Sequence, residues 1–262
     1  MNDAQLLQAA EALWQHLQTD TFFESLPESC RPQTVNDGYA VQQKLFEISG
    51  DQLVGWKIAA TGQAGQKHIS VSHPLAGRLL RSRCFDSGVT FPFGNNNMAV
   101  AEAEFAFTMG RNLSSRTGEY SVDEVMNAVQ SVHPAIELPD SRFQDFTVAG
   151  GPSLIADLAC ARYFVLGDAV DNGWRDLDLK SCNTKLTING NTVAEGAGQD
   201  VLGGPDIALT WLVNQLSSLD ITLHAGEIVT TGVCGKPCPI QAGDRVIAQL
   251  AQVGAATLTL SD

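Results

Sequence analysis

Glu102 and Glu104 lie two residues apart in VAEAEFAFTMG, residues 100–110, a run otherwise dominated by Ala, Val and Phe. On a strand, side chains at i and i+2 share one face about 6.6–7 Å apart. That spacing predicts the two carboxylates on one side and Ala101, Ala103, Phe105 and Phe107 on the other. A third carboxylate, Glu137, interrupts the apolar segment HPAIEL in the same way, and a strand, helix and strand between residues 100 and 138 would bring it beside the first pair. Clustered carboxylates repel one another, and burial without a partner raises their pKa values. A hard dication resolves both costs, and oxygen-only donors favour Mg²⁺ or Mn²⁺ over zinc. An E-x-E pair by itself also fits the wet face of a half-exposed strand.

Lys57, in VGWKIAATG at residues 54–62, alternates with Trp56 and Ile58 ahead of a small-residue turn at Thr61-Gly62. It fits a strand-end charge that reaches water. It also fits a cation placed to stabilise an enolate or relay a proton. Beside three carboxylates and one dication the net charge is −1, and an ammonium there would be useful.

The elements that must position these groups fall into two textures. Leu6, Leu7, Ala10, Leu13, Trp14 and Leu17 form a helical stripe that Asn2 or Asp3 can cap, and a second helix is expected to start at Thr34 with Tyr39, Gln42, Leu45 and Phe46 inward. From residue 51 short β-rich runs alternate with glycine turns, which predicts a helical region over 1–50 and a catalytic domain over 51–262. Two helices interrupt the strands. One is capped by Ser121 with Glu124 and carries Val122, Val125, Met126 and Val129. The other is opened by Pro205 and packs Ile207, Trp211, Leu212 and Leu216.

Composition narrows the function. The 262 residues are 44% hydrophobic, enough for a large core, and carry a net charge of −13 with no cluster of Lys and Arg, so a nucleic-acid partner is not expected. No membrane segment or export signal is expected either. The six cysteines include no CxxC pair and suit reduced thiols in a cytoplasmic protein; the five histidines form no metal motif.

Seven strings, VGWKIAATG, VAEAEFAF, PAIELPDSRF, LIADLACARYFVLG, GGPDIALTWLVNQL, LHAGEIVTTG and AGDRVIAQL, occur in the order and spacing of a known family. The chain resembles the 2-keto-4-pentenoate hydratases and 4-oxalocrotonate decarboxylases of the fumarylacetoacetate hydrolase superfamily. The resemblance implies an α+β fold, a mixed β-roll with flanking helices. It implies Mg²⁺ or Mn²⁺ on Glu102, Glu104 and Glu137, and Lys57 in the active site. It further implies a 2-oxo or 2-hydroxydienoic acid bound near Thr61, with Cys160 bordering the pocket. The expected activity is hydration of a 2-hydroxy-2,4-dienoate to a 4-hydroxy-2-oxo acid by a homo-oligomer. The alternatives are decarboxylation of a 4-oxalocrotonate-type dicarboxylate, or a silent relative.

Two departures bear on the substrate. Leu158 stands where relatives commonly carry Asn, and the hydroxyl that usually follows Thr61 is replaced by Gly62. Arg78, following Gly77, is a candidate substrate-binding cation for a second carboxylate, with an outward, solvated position as the other reading.

Overall fold

The computed structural model describes residues 1–170 and 173–262. Two helices open the chain. Helix α1, Asp3–Thr19, is capped by the Asn2 side chain, which accepts from the Gln5 backbone, and buries Ala9, Ala10, Leu13 and Leu17. Helix α2, Val35–Ser49, is capped by Thr34 in a reciprocal box with Asp37 and buries Tyr39, Gln42 and Leu45. Short helix α3, Gln63–His68, follows strand β1, Leu53–Ala59. Helices α4, Val122–Met126, α5, Gly151–Ala156, and α6, Pro205–Ser218, complete the set.

Further strands are β2, Leu75–Leu80, β3, Cys84–Asp86, β4, Val89–Pro92, β5, Val100–Met109, β6, Val129–Leu138, and β7, Tyr163–Leu166. Then come β8, Asn183–Ile188, β9, Asn191–Ala197, β10, Ile228–Thr230, β11, Cys238–Pro239, β12, Arg245–Leu250, and β13, Gly254–Ser261. The larger sheet runs β2-β1-β10-β5-β6-β7-β3, with β11 added beside β5, and the smaller runs β4-β13-β12-β8-β9. Both mix parallel and antiparallel pairs: β1 lies parallel to β10, and β5 antiparallel to β6. Phe105, Phe107, Val132, Ile136, Val246, Ala248 and Leu258 are buried in one continuous core. This is the expected α+β architecture.

The N-terminal helices are bonded into it. Gln42 Nε2 donates to the carbonyls of Ala76 and Ile155, tying α2 to β2 and α5 at once. Gly38 makes the approach of α2 to α5 possible, since a Cβ there would stand 2.5 Å from the Pro152 carbonyl oxygen. No helix among the described residues is long and apolar enough to cross a membrane.

Two local expectations are corrected. Ser121 and Glu124 do cap a helix, but it stops at Met126, and Val129 opens β6 instead. The β-branched residues Val129 and Val132 pair with β5, and Pro134 could not donate within a continued helix. Ile207 is 42% exposed, because α6 turns Ala208, Leu209, Leu212, Val213 and Leu216 inward. Helices α3 and α5 are too short to leave a periodic signature.

Candidate metal and substrate site

The register of β5 on β6 places Glu102 directly opposite Glu137, and Glu104 one pair further along opposite Ala135. One carboxylate oxygen from each of the three glutamates lies within 4.8 Å of those of the other two. Glu104 and Glu137 are fully buried, and Glu102 is half-buried with its open side toward a cavity of about 430 Å³.

Glu104 is fixed from behind. Its Oε2 accepts from the Thr230 hydroxyl and, at 2.9 Å, from the Gly232 backbone N–H, while Oε1 has no partner. Strand β10 runs between β1 and β5 and supplies this support at its end. Lys57 faces the cluster from β1. Its Nζ stands 3.0 Å from Glu137 Oε1 and donates, at 2.9 Å, to the carbonyl of Ala159. Neither oxygen of Glu137 accepts a well-directed hydrogen bond.

The Ala159 carbonyl is presented by an unusual backbone. Leu158, Ala159 and Cys160 have φ of 53°, 50° and 64°, three successive non-glycine residues in the left-handed region, where each is disfavoured. Two devices hold this turn. Gly77 on β2 admits it, because a Cβ there would come within 1.9 Å of the Leu158 carbonyl oxygen. Asp157 anchors its start: the buried carboxylate accepts from Ser141 Oγ at 2.7 Å, from the Arg142 backbone at 2.9 Å and from Arg142 Nε. The neighbouring Arg162–Asp140 pair, at 2.5 Å, ties the turn's exit to the loop after Glu137.

Burial, then the adjoining carboxylates, push Glu102 and Glu104 up to about 7. Burial pushes Glu137 up to about 8 even though Lys57 pulls the other way. Burial alone would lower Lys57, but Glu137, Glu102 and Glu104 outweigh it and hold the ammonium above its ordinary value. Three crowded carboxylates, two of them with unpartnered buried oxygens, and one ammonium are a fit for a hard dication. Glu102, Glu104 and Glu137 would hold it, and the all-oxygen donor set matches Mg²⁺ or Mn²⁺.

Thr61 and Cys160 also line the cavity. Thr61 packs against Gly232 (φ 95°), where a Cβ would stand 2.3 Å from the Thr61 hydroxyl. Cys160 borders the site as a neutral thiol, pushed up to about 12 by burial. Arg78 lies elsewhere, which corrects both readings of it. It is buried against α2, donates to Gln42 Oε1 at 2.9 Å and to Gln43 Oε1, and stacks 4.6 Å from the Trp56 ring centre. Trp56 pairs with Arg78 across β1 and β2 and sits on the face opposite Lys57, so Arg78 is absent from the cavity wall. Sequence reasoning missed Thr230, Gly232, Asp157 and Arg142 as supports, and His68, Asp200 and Lys236 as cavity residues.

The fold agrees with comparisons to known proteins. The profile of the family described as Fumarylacetoacetate (FAA) hydrolase C-terminal matches residues 78–261. A 2-keto-4-pentenoate hydratase of Paraburkholderia xenovorans is 32% identical over 248 residues, covering 93% of this chain and 90% of that one. A 2-hydroxyhexa-2,4-dienoate hydratase of Comamonas testosteroni is 29% identical over 251 residues, 94% of each. The 4-oxalocrotonate decarboxylase from Pseudomonas putida G7, complexed with magnesium and adipate, has the same fold, with a TM-score of 0.89 at 24% identity over 99% of this chain and 98% of that one. The chain belongs to the fumarylacetoacetate hydrolase family, in its group of 2-keto-4-pentenoate hydratases.

Proposed function

We propose that the protein is a Mg²⁺- or Mn²⁺-dependent lyase that adds water to a 2-hydroxy-2,4-dienoate of the 2-keto-4-pentenoate type, giving a 4-hydroxy-2-oxo acid. The observation that carries this is the trio of glutamates, two buried and one half-buried, facing Lys57 at the base of the cavity, in a chain whose relatives include hydratases of such acids.

When bound, the metal supplies Lewis-acid polarisation of the substrate's C2 oxygen. The chain's own groups do the rest. A proton leaves the 2-hydroxyl and one arrives at C5, turning the dienol into a conjugated 2-oxo-3-ene. Water oxygen then bonds to C4 and a proton to C3, for a net gain of one water. Lys57 holds a fixed positive charge against the C2 oxygen as negative charge grows there, and is placed to hold or pass its proton. Thr230 and Gly232 keep the Glu104 carboxylate in one orientation, and Thr61 lines the cavity that would receive the acid. The half-buried apolar walls limit the water that competes for these charges.

Decarboxylation of a 4-oxalocrotonate-type dicarboxylate is the second reading, because it draws on the same glutamates and lysine. It also wants a cation for the distal carboxylate, and Arg78 does not reach the cavity. A homo-oligomer working in the cytoplasm, with residues 1–50 as a helical region and 51–262 as the catalytic domain, completes the proposal. The six buried free thiols suit a reducing compartment. The test is the loss of dienol absorbance from 2-hydroxypenta-2,4-dienoate, expected only with Mg²⁺ or Mn²⁺ present. Undiminished turnover by metal-stripped protein overturns the reading.

A further inference from the structure

The cavity is larger than the smallest acid of this class needs. 2-Hydroxypenta-2,4-dienoate has eight non-hydrogen atoms. Even at the roughly 30 Å³ that a free water occupies, eight atoms would fill little more than half of the about 430 Å³ present. The polar groups gather at one end, where Lys57, Glu102 and Thr61 meet. Val100 lies two residues before Glu102 on the same strand face, so it continues the cavity wall about 7 Å from the glutamate. Ile69, Met98, Phe146 and Val233 complete that wall, each half-buried and open to the cavity.

Charged and titratable groups on the remaining wall are few and stand in water. His68, Asp200 and Lys236 are all exposed at the mouth. The Asp200 carboxylate accepts from the backbones of Ala197 at 2.9 Å and Gly235 at 3.0 Å. It would repel a second carboxylate on the ligand, and the Lys236 ammonium is solvated enough that an ion pair with it gains little. An uncharged hydrocarbon meets no such opposition, since it exchanges water for Val100, Met98, Phe146, Ile69 and Val233.

Resting on the hydratase reading above, we propose that this wall is a specificity site for an uncharged alkyl or aryl substituent at C5 of the dienoate, of three carbons or more. Val100 and Val233 set how large it can be. Each methylene buried there gains about fourfold in kcat/KM.

The test compares four acids with the Mg²⁺-loaded wild-type protein: 2-hydroxypenta-2,4-dienoate, its 5-propyl and 5-phenyl derivatives, and 2-hydroxyhepta-2,4-dienedioate. The 5-propyl acid is expected to have a kcat/KM at least tenfold above the unsubstituted acid, with the dicarboxylate below both. In Val100→Phe and Val233→Phe the ratio of 5-propyl to unsubstituted acid should fall at least fivefold, a readout that normalises away a general loss of active protein. Hydration of the unsubstituted acid with no preference for the propyl or phenyl tail overturns this inference and leaves the hydratase reading standing, as does a preference for the dicarboxylate. Hydration of none of the four overturns both.

Discussion

The Lys57 ammonium makes its directed hydrogen bond to the carbonyl of Ala159 at 2.9 Å, and only an ionic contact, 3.0 Å, with Glu137 Oε1. The lysine is therefore held by the backbone, while the glutamate keeps its lone pairs free. A buried pair organised for stability alone would aim the donor at the carboxylate. This pair leaves Glu137 as an acceptor for something else.

Lys57→Met keeps the stem and removes the charge. With saturating Mg²⁺ it should fold and lose about 10²–10⁴-fold in kcat, the range for a missing acid–base group. A kcat within tenfold of wild type would assign the lysine no part in the chemistry.

Glu102→Gln, Glu104→Gln and Glu137→Gln should each weaken Mg²⁺ or Mn²⁺ binding, measured by calorimetry. Thr230→Val removes the hydroxyl behind Glu104 and should weaken it by about 10–100-fold, as losses in the surrounding shell do. Unchanged affinity in all four would remove the metal from these residues.

The pH dependence follows from raised carboxylate pKa values. Glu102 and Glu104 sit near 7 and Glu137 near 8 in the folded protein against an ordinary 4.5, because burial disfavours their charge. Between those limits the native state holds protons that the unfolded chain has released. Stability of the metal-free protein therefore falls as pH rises from about 4.5 to 8. Bound metal removes the penalty, so the Tm gain on adding Mg²⁺ should grow from pH 5.5 to 8. A gain that shrinks over that range contradicts the burial of these groups.

Asp157→Asn leaves Arg142 buried without its counter-charge and frees the left-handed turn that presents the Ala159 carbonyl. The expected cost is about 3–5 kcal/mol, a Tm lower by roughly 6–12 °C, with kcat falling as well. A shift under about 2 °C would mean that the clamp does not carry the turn.

The glutamates were legible in the sequence because carboxylates interrupting apolar strands are conspicuous and the strand period put Glu102 and Glu104 on one side; the family resemblance, not the spacing, pointed them to a metal. Lys57 was legible for the same reason. Their supports were not. Thr230 looks like any β-branched strand residue, and its role comes from the placement of β10 between β1 and β5, a crossover that periodicity does not encode. The turn over Leu158–Cys160 carries no glycine of its own; the glycine that admits it is Gly77, 81 positions before Leu158. Arg78 follows that glycine, yet strand alternation sends its side chain to the α2 face, where Gln42 and Gln43 await it. The early end of the Ser121 helix was hidden because Val125 and Val129 fit a helical stripe and a strand edge equally well.

Product identification after incubating the Mg²⁺-loaded protein with 2-hydroxypenta-2,4-dienoate, and separately with 2-oxohex-3-enedioate, tests the central claim most directly. The account predicts 4-hydroxy-2-oxopentanoate from the first and no CO₂ from the second. Release of CO₂ from the dicarboxylate, with the shorter acid left unhydrated, would contradict it.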